Sequence, residues 1–172
     1  MFKEIPTHVL TAEAEEHSLA QAQRDIYDSH RHRIFSLAYH MTGNELEAEQ
    51  LLTDSFVQAF STDPRPDGGV IDRSLVWELR KQFSLAPAAP AISQSAGIPM
   101  RKNVRRTDLE EAIQELPPPE RLLFLLRDVE GYSSESVSQL VDMPQPQVNR
   151  TLLSARIRLR GILSNMEARR AA

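Results

Sequence analysis

The residues whose types and spacing suggest chemistry lie near the carboxyl end, in the stretch DMPQPQVNRTLLSARIRLRGIL, residues 142–163. Apolar side chains recur there as on one face of a helix, at Val148, Leu152, Ala155 and Leu159. The other face carries amides and guanidinium groups, which can make paired hydrogen bonds to adenine and guanine in the major groove of DNA. The predicted DNA-contacting side chains are Gln145, Gln147, Asn149, Arg150, Ser154, Arg156 and Arg158.

A shorter helix is predicted directly before this one, so the pair is a candidate helix-turn-helix. Ser133 or Ser134 caps the shorter helix, which runs to about Val141, and residues 142–144 form the turn. In proteins with this layout the start of the second helix meets base edges, and later cations meet phosphates. A plain helical hairpin whose arginines only keep the surface soluble has the same spacing, so spacing alone leaves both interpretations open.

Other kinds of chemistry find little support. The chain has no cysteine, which excludes disulfides, thiolate metal sites and cysteine nucleophiles. His30, His32 and His40 share a helical segment, but the His-x-His spacing splits two of the rings across helix faces and no tight carboxylate cluster joins them. No glycine-rich loop that could cradle phosphate is present. We therefore predict no enzyme, no metal site and no cofactor.

Helical periodicity recurs through most of the chain, and no segment indicates a strand. In the first half we predict helices over about 19–41, 44–60 and 72–85, with Asn44 capping the second. In the second half a capping box at Thr107 opens a helix to Leu116, and a further helix covers 120–130 before the helix-turn-helix.

The predicted fold is all-α, with two small helical domains joined by a flexible linker. The predicted division is an N-terminal extension at 1–18, a first domain at 19–85, a linker rich in Pro, Ala and Ser at 86–106, and a second domain at 107–172. Trp77 in the third helix could stack on a base or fill the core, and its apolar neighbours favour the core.

Charge alternates along the chain, although the total is only −4. Residues 1–63 carry net −7, residues 64–106 net +5, residues 107–143 net −7 and residues 144–172 net +5. Two basic blocks indicate two surfaces that meet anions, or simply two solvated faces. One hypothesis from this alternation is that the acidic blocks cover the basic ones and weaken DNA binding by the free chain.

The remaining features favour a cytoplasmic protein without membrane insertion. The N-terminus lacks the basic start and apolar stretch of a signal peptide. The longest strongly apolar run, 122–126, is far too short to span a bilayer. The absence of cysteine suits a reducing compartment.

Two segments carry longer motifs. The first has the frame T-G-x-x-x-x-A-E-x-L-x-x-x-x-F, at Thr42, Gly43, Ala48, Glu49, Leu51 and Phe56. The second has a leucine-proline start, an arginine, an E-G-x-S step and a V-x-x-x-L-x-x-A-R-x-x-L-R pattern, at Leu116, Pro117, Arg121, Glu130, Gly131, Ser133, Val148, Leu152, Ala155, Arg156, Leu159 and Arg160. The second segment resembles region 4, and residues 34–60 resemble regions 2.1 and 2.2, of extracytoplasmic-function (ECF) sigma factors of bacterial RNA polymerase.

The resemblance implies a role in promoter recognition. In that family, region 2.2 docks on the largest polymerase subunit, region 2 reads and opens the −10 element, and region 4 reads the −35 element. The resemblance implies that the −35 bases are contacted by Gln145, Gln147, Asn149, Arg150 and Ser154. It places Arg156 and Arg158 near phosphates. It places Arg73, Trp77, Arg80 and Lys81 near the −10 element. It places Glu49, Gln50, Thr53, Asp54 and Val57 on polymerase. The implied partners are core RNA polymerase, promoter DNA and an anti-sigma factor.

Two other interpretations remain open. At Gln50 and Thr53 the chain departs from the A-E-D-L-x-Q-E motif usual in the family. A degenerate sigma-like protein would bind an anti-sigma factor or another partner without opening promoters. A stand-alone helix-turn-helix regulator would bind DNA and ignore polymerase.

Overall fold

The computed structural model describes residues 7–87, 89–91 and 104–172, which form seven α-helices and one π-helical turn. The helices are α1 (Thr7–Thr42), α2 (Glu45–Thr62), α3 (Gly68–Gln82), α4 (Arg106–Gln114), α5 (Pro118–Phe124), α6 (Ser134–Val141) and α7 (Gln145–Ala171), and the π-helical turn, Leu125–Val129, continues α5. Within the described ranges there is no strand, which agrees with the predicted all-α class. No helix in this part of the chain combines the length and apolar character that a membrane span requires.

The first three helices pack around an apolar core contributed by all of them. Gly43, with a φ of 69°, ends α1, and the Asn44 side chain accepts hydrogen bonds from the first N–H groups of α2. These two boundaries confirm the sequence prediction. The core side chains of this half are Ile34, Leu37, Ala38, Met41, Ala48, Leu51, Phe56, Ala59, Ile71, Leu75, Val76 and Leu79.

Two boundaries in this half differ from the prediction. Helix α1 continues toward the N-terminus as far as Thr7, so residues 7–18 of the predicted extension are helical, and residues 1–6 lie outside the described chain. Helix α3 starts at Gly68 rather than at residue 72, because the Asp67 side chain accepts a hydrogen bond from Val70 N at 2.8 Å and caps the helix there.

In the second half, α4 to α7 form a compact arrangement in which prolines and left-handed residues set the boundaries. Helix α4 begins at Arg106 without a side-chain cap, so the predicted capping box at Thr107 is wrong. Gly131, with a φ of 78°, ends the helix that runs from α5 through the π-helical turn, and Asp142, with a φ of 53°, ends α6.

The two halves contact each other through polar groups as well as through a continuous apolar core. Arg121 Nη1 donates to Met41 O at the end of α1, and Gln114 Nε2 donates to His40 O at 2.6 Å. A Cβ added at Gly43 would lie 2.9 Å from Gln114 Oε1, which shows how closely the halves approach. Of the predicted linker, residue 88 and residues 92–103 lie outside the described chain. The division into two domains and the flexibility of the linker stay predictions.

Candidate nucleic-acid interface

Helices α6 and α7 form the predicted helix-turn-helix. Ser133 Oγ accepts from Ser136 N at 3.0 Å and caps α6, and Ser138 Oγ donates to Met143 O at 2.6 Å, which ties the turn to α6. The predicted inward face of α7 is confirmed, because its four apolar side chains are all buried; they are Val148, Leu152, Ala155 and Leu159.

The first turns of α7 present an exposed surface that we call the reading face. Its predicted members Gln145, Asn149 and Arg150 are exposed. Leu153 lies one turn after Asn149 and is 58% exposed, so the reading face also holds an apolar side chain that the sequence analysis missed. The exposure of Leu153 could have been predicted from the sequence, because Leu153 falls outside the spacing of the inward face. An exposed apolar group in this position suits contact with a thymine methyl.

The structure places Ser154 away from the reading face, so its predicted base contact is corrected. Ser154 is buried, its Oγ donates to Glu120 Oε1 at 2.8 Å, and it accepts from Ala91 N at 2.7 Å. Both hydrogen-bonding capacities of the hydroxyl are therefore used inside the protein.

Two further predicted DNA contacts are held by carboxylates. Arg156 makes a bidentate pair with Asp128, at 2.8 and 2.6 Å, and this carboxylate raises the pKa of Arg156. Arg158 Nε lies 2.9 Å from Glu120 Oε2, and Glu120 is buried. In this conformation both guanidinium groups join α7 to the preceding helices, and neither is free for phosphate. Gln147 is half-buried and faces residues 83–87 across a cleft.

The acidic and basic blocks of the second half meet in these pairs. A third pair joins Arg170 near the end of α7 to Asp108 in α4, and it holds the pKa of the Asp108 carboxyl below its usual range. These three ion pairs therefore join acidic residues of 107–143 to basic residues of 144–172 and help to stabilise the second half.

Helix α3 exposes Trp77, which corrects the expectation that this side chain fills the core. The indole is 56% exposed, while its neighbours Val76 and Glu78 are buried. Arg73 and Lys81, one turn to either side, are exposed on the same face, and Lys81 Nζ donates to the Glu78 carboxylate at 2.8 Å. The fourth predicted residue, Arg80, is engaged elsewhere, because its Nη2 donates to Val141 O at 2.6 Å.

The outer face of α2 is the second exposed surface that the sequence singles out. Glu49, Gln50, Thr53 and Val57 are exposed, Asp54 is half-buried, and Gln50 Nε2 donates to Asp54 Oδ1 at 2.9 Å. Val57 is 62% exposed and Leu46, at the start of the same helix, is 77% exposed. Large apolar groups beside carboxylates are typical of a protein-binding surface. Leu46 was not predicted as part of it.

The described residues contain no group of three or more histidine and carboxylate side chains placed to hold a metal ion. The surfaces of interest are therefore contact surfaces built from hydrogen-bonding, cationic and apolar side chains.

Comparison with known proteins agrees with the helix-turn-helix geometry. Residues 106–159 match the family Sigma-70, region 4. The chain is similar to the ECF RNA polymerase sigma factor SigE of Mycolicibacterium smegmatis, with 23% identity over 159 residues that cover 81% of this chain and 61% of the relative. The chain thus spans about three-fifths of the length of that relative.

The fold is also similar to a solved structure, the sigma factor RpoE in complex with the anti-sigma factor NepR from Bartonella quintana. The TM-score is 0.54 at 15% identity, over 88% of this chain and 98% of that one. Residues 106–159 thus match a sigma-70 region 4, and over most of its length the chain shares the fold of a solved sigma factor.

Proposed function

We propose that this chain is a sigma factor that directs RNA polymerase to promoters. The observation that carries the proposal is the reading face, where Asn149, Arg150 and Leu153 stand exposed on the second helix of a helix-turn-helix inside the region 4 match. An amide, a guanidinium group and an aliphatic side chain suit adenine, guanine and a thymine methyl respectively. Arg150 is the strongest candidate for a base contact, because its guanidinium group can pair with two acceptors of guanine.

The other two surfaces support the same role. Exposed Trp77 beside exposed Arg73 suits stacking on an unpaired base next to a phosphate backbone, as −10 recognition requires, whereas Lys81 is paired with Glu78. The outer face of α2, with Val57 and Leu46 among carboxylates, suits docking on core polymerase. The proposed partners are core RNA polymerase, promoter DNA and an anti-sigma factor, and no catalytic step is assigned to the chain.

A second candidate function is a sigma-like protein that binds a partner without opening promoters. The paired state of Arg156 and Arg158 favours this candidate, because both predicted phosphate contacts are occupied by Asp128 and Glu120.

In vitro transcription with core polymerase and a promoter library separates the two. The proposed function predicts initiation that depends on promoter sequence and falls in Trp77→Ala, whereas Leu19→Ala, which changes a residue of α1 outside these surfaces, leaves initiation unchanged. Binding to core polymerase without initiation from any promoter would favour the second candidate. Failure to bind core polymerase would reject the proposed function.

A further inference from the structure

Two apolar side chains mark the ends of the reading face. Pro146, in the first turn of α7, and Leu153, seven residues later, are both exposed, Leu153 by 58%. Residues seven apart lie on nearly the same side of an α-helix, separated by two turns. Asn149 and Arg150 lie between them and are also exposed. The reading face is therefore apolar at both ends, with an amide and a guanidinium group in the middle.

Both apolar side chains lie on the side of α7 that faces away from the core. Val148, Leu152 and Ala155 are buried, and helical spacing puts positions 146 and 153 on the opposite side of the helix. The proline ring and the leucine side chain therefore add nothing to the core of the second half. They gain apolar contacts only from a partner that covers the reading face.

The start of α7 offers few backbone donors to a phosphate. An α-helix ordinarily begins with four N–H groups that have no partner within the helix, and such groups bind anions. Here Pro144 and Pro146 carry no N–H group, and Gln147 N donates to Pro144 O at 2.8 Å. Of the four, only Gln145 N lacks an acceptor within the described chain. The first turn thus presents proline rings where other helices present donors, which favours apolar contact over phosphate binding.

Among the base edges of the major groove, the C5-methyl group of thymine is the apolar feature. Pro146 and Leu153 each offer an apolar surface to such a methyl group, whereas the amide and the guanidinium group between them suit purine edges. Seven residues of α-helix span about 10.5 Å, and stacked bases are about 3.4 Å apart. Two methyl groups contacted at the two ends of the reading face are therefore at most about three base pairs apart.

We infer that Pro146 and Leu153 are specificity-determining residues that select thymine at two positions of the −35 element, through contact with its methyl group. The inference rests on the proposed function and adds the base that each end of the reading face requires. The two thymines flank the bases that Asn149 and Arg150 contact.

Replacement of thymine by uracil tests the inference from the DNA side, because uracil lacks only the methyl group and the protein is unchanged. The selected duplex carries the −35 sequence that the full chain selects, together with core polymerase, from a randomised promoter library. Each thymine of this element is replaced in turn, on either strand, and the substituted duplex competes with the original for the polymerase complex. We expect two thymines, at most about three base pairs apart, at which uracil weakens binding about fourfold, the factor that corresponds to one buried methyl group.

Three variants of the full chain assign the two methyl contacts. Leu153→Ala should reduce the effect of uracil to below about twofold at one of the two positions, and Pro146→Ala at the other, because contacting groups are coupled. Both residues are exposed, so neither substitution removes a core side chain. Val129→Ala is the control, since Val129 is an exposed apolar residue of the π-helical turn, outside the reading face. It should leave both uracil effects unchanged.

If uracil has no effect at any thymine, or if the selected element contains no thymine, the inference is wrong. The proposed function still stands in that case when the complex prefers the selected duplex to a scrambled one. A uracil effect that persists at both positions in Leu153→Ala or in Pro146→Ala would overturn the role of that residue. Sensitive thymines farther apart than the two ends of the reading face would overturn the geometry. If the complex prefers no −35 sequence at all, the proposed function itself fails.

Discussion

The first turns of α7 and the remainder of the same helix differ in what their polar side chains do. Over residues 145–153 the polar groups Gln145, Asn149 and Arg150 are exposed. Over residues 154–170 the arginines Arg156, Arg158 and Arg170 are paired with carboxylates of earlier helices. The comparison teaches that a run of arginines on a DNA-binding helix can have an internal role, and that only free side chains should be counted as DNA contacts.

The largest expected effect concerns the paired part of α7. Glu120→Ala removes the buried carboxylate that binds Arg158 and Ser154, and we expect the free energy of unfolding to fall by about 3 kcal/mol, because a partly buried guanidinium group and a buried hydroxyl lose their partner. Urea unfolding measures this. Glu115→Ala is the matched control, since Glu115 is exposed at the end of α4. If Glu120→Ala lowers the free energy of unfolding no more than Glu115→Ala does, the contacts of Glu120 with Arg158 and Ser154 do not stabilise the fold.

The second largest expected effect concerns DNA binding by the reading face. Arg150→Ala should weaken binding to the selected duplex by about 1–3 kcal/mol while leaving the unfolding free energy unchanged, because the side chain is exposed. Titration against the selected duplex and against a scrambled one measures the effect. Arg160→Ala removes a second exposed arginine farther along α7 and is the control for charge. Equal losses on both duplexes would mean that Arg150 contacts phosphate only.

Much of this comparison could be predicted from the sequence, and the remainder depends on distant residues. Spacing alone identified the inward face of α7 at Val148 and Leu152, because burial on a helix follows its period. The pairing of Arg156 with Asp128 could not be predicted, since these residues are 28 positions apart and no local pattern joins them. The expectation that Trp77 fills the core was wrong because it relied on apolar neighbours in the sequence, and residues adjacent in sequence lie on different faces of a helix.

The hydrogen-bonded cluster of Tyr132, Asp72 and Arg33 predicts a dependence of stability on high pH. Burial, together with the hydrogen bond to Asp72, raises the pKa of Tyr132 to about 12 from 10.0. The unfolded chain therefore loses this proton first. The contribution to stability is complete below pH 10 and is lost as the pH rises toward 12. We expect a loss on the order of 1 kcal/mol after discounting for solvent screening. Unfolding at several pH values should show a shallower decline for Tyr132→Phe than for Tyr39→Phe.

The smallest expected effect tests whether Arg156 pairs with Asp128 or contacts phosphate when DNA binds. Arg156→Ala should lower the unfolding free energy by about 0.5 kcal/mol, as expected for an exposed ion pair. It should leave the salt dependence of DNA binding unchanged, because Arg156 is occupied by Asp128. Asp128→Asn frees the guanidinium group and should steepen the salt dependence by roughly one released counterion. A flatter salt dependence in Arg156→Ala would show that Arg156 leaves Asp128 for phosphate when DNA binds.

Selection of binding sites from a randomised promoter library by the polymerase complex tests the central claim most directly. The comparison is between wild type, Arg150→Lys and Arg156→Lys, since lysine keeps the charge but cannot form the paired hydrogen bonds of arginine. Our account predicts that Arg150→Lys relaxes the preference at one position of the −35 element, whereas Arg156→Lys selects the same sequence as the wild type. A preference that changes with Arg156 and not with Arg150 would contradict the account.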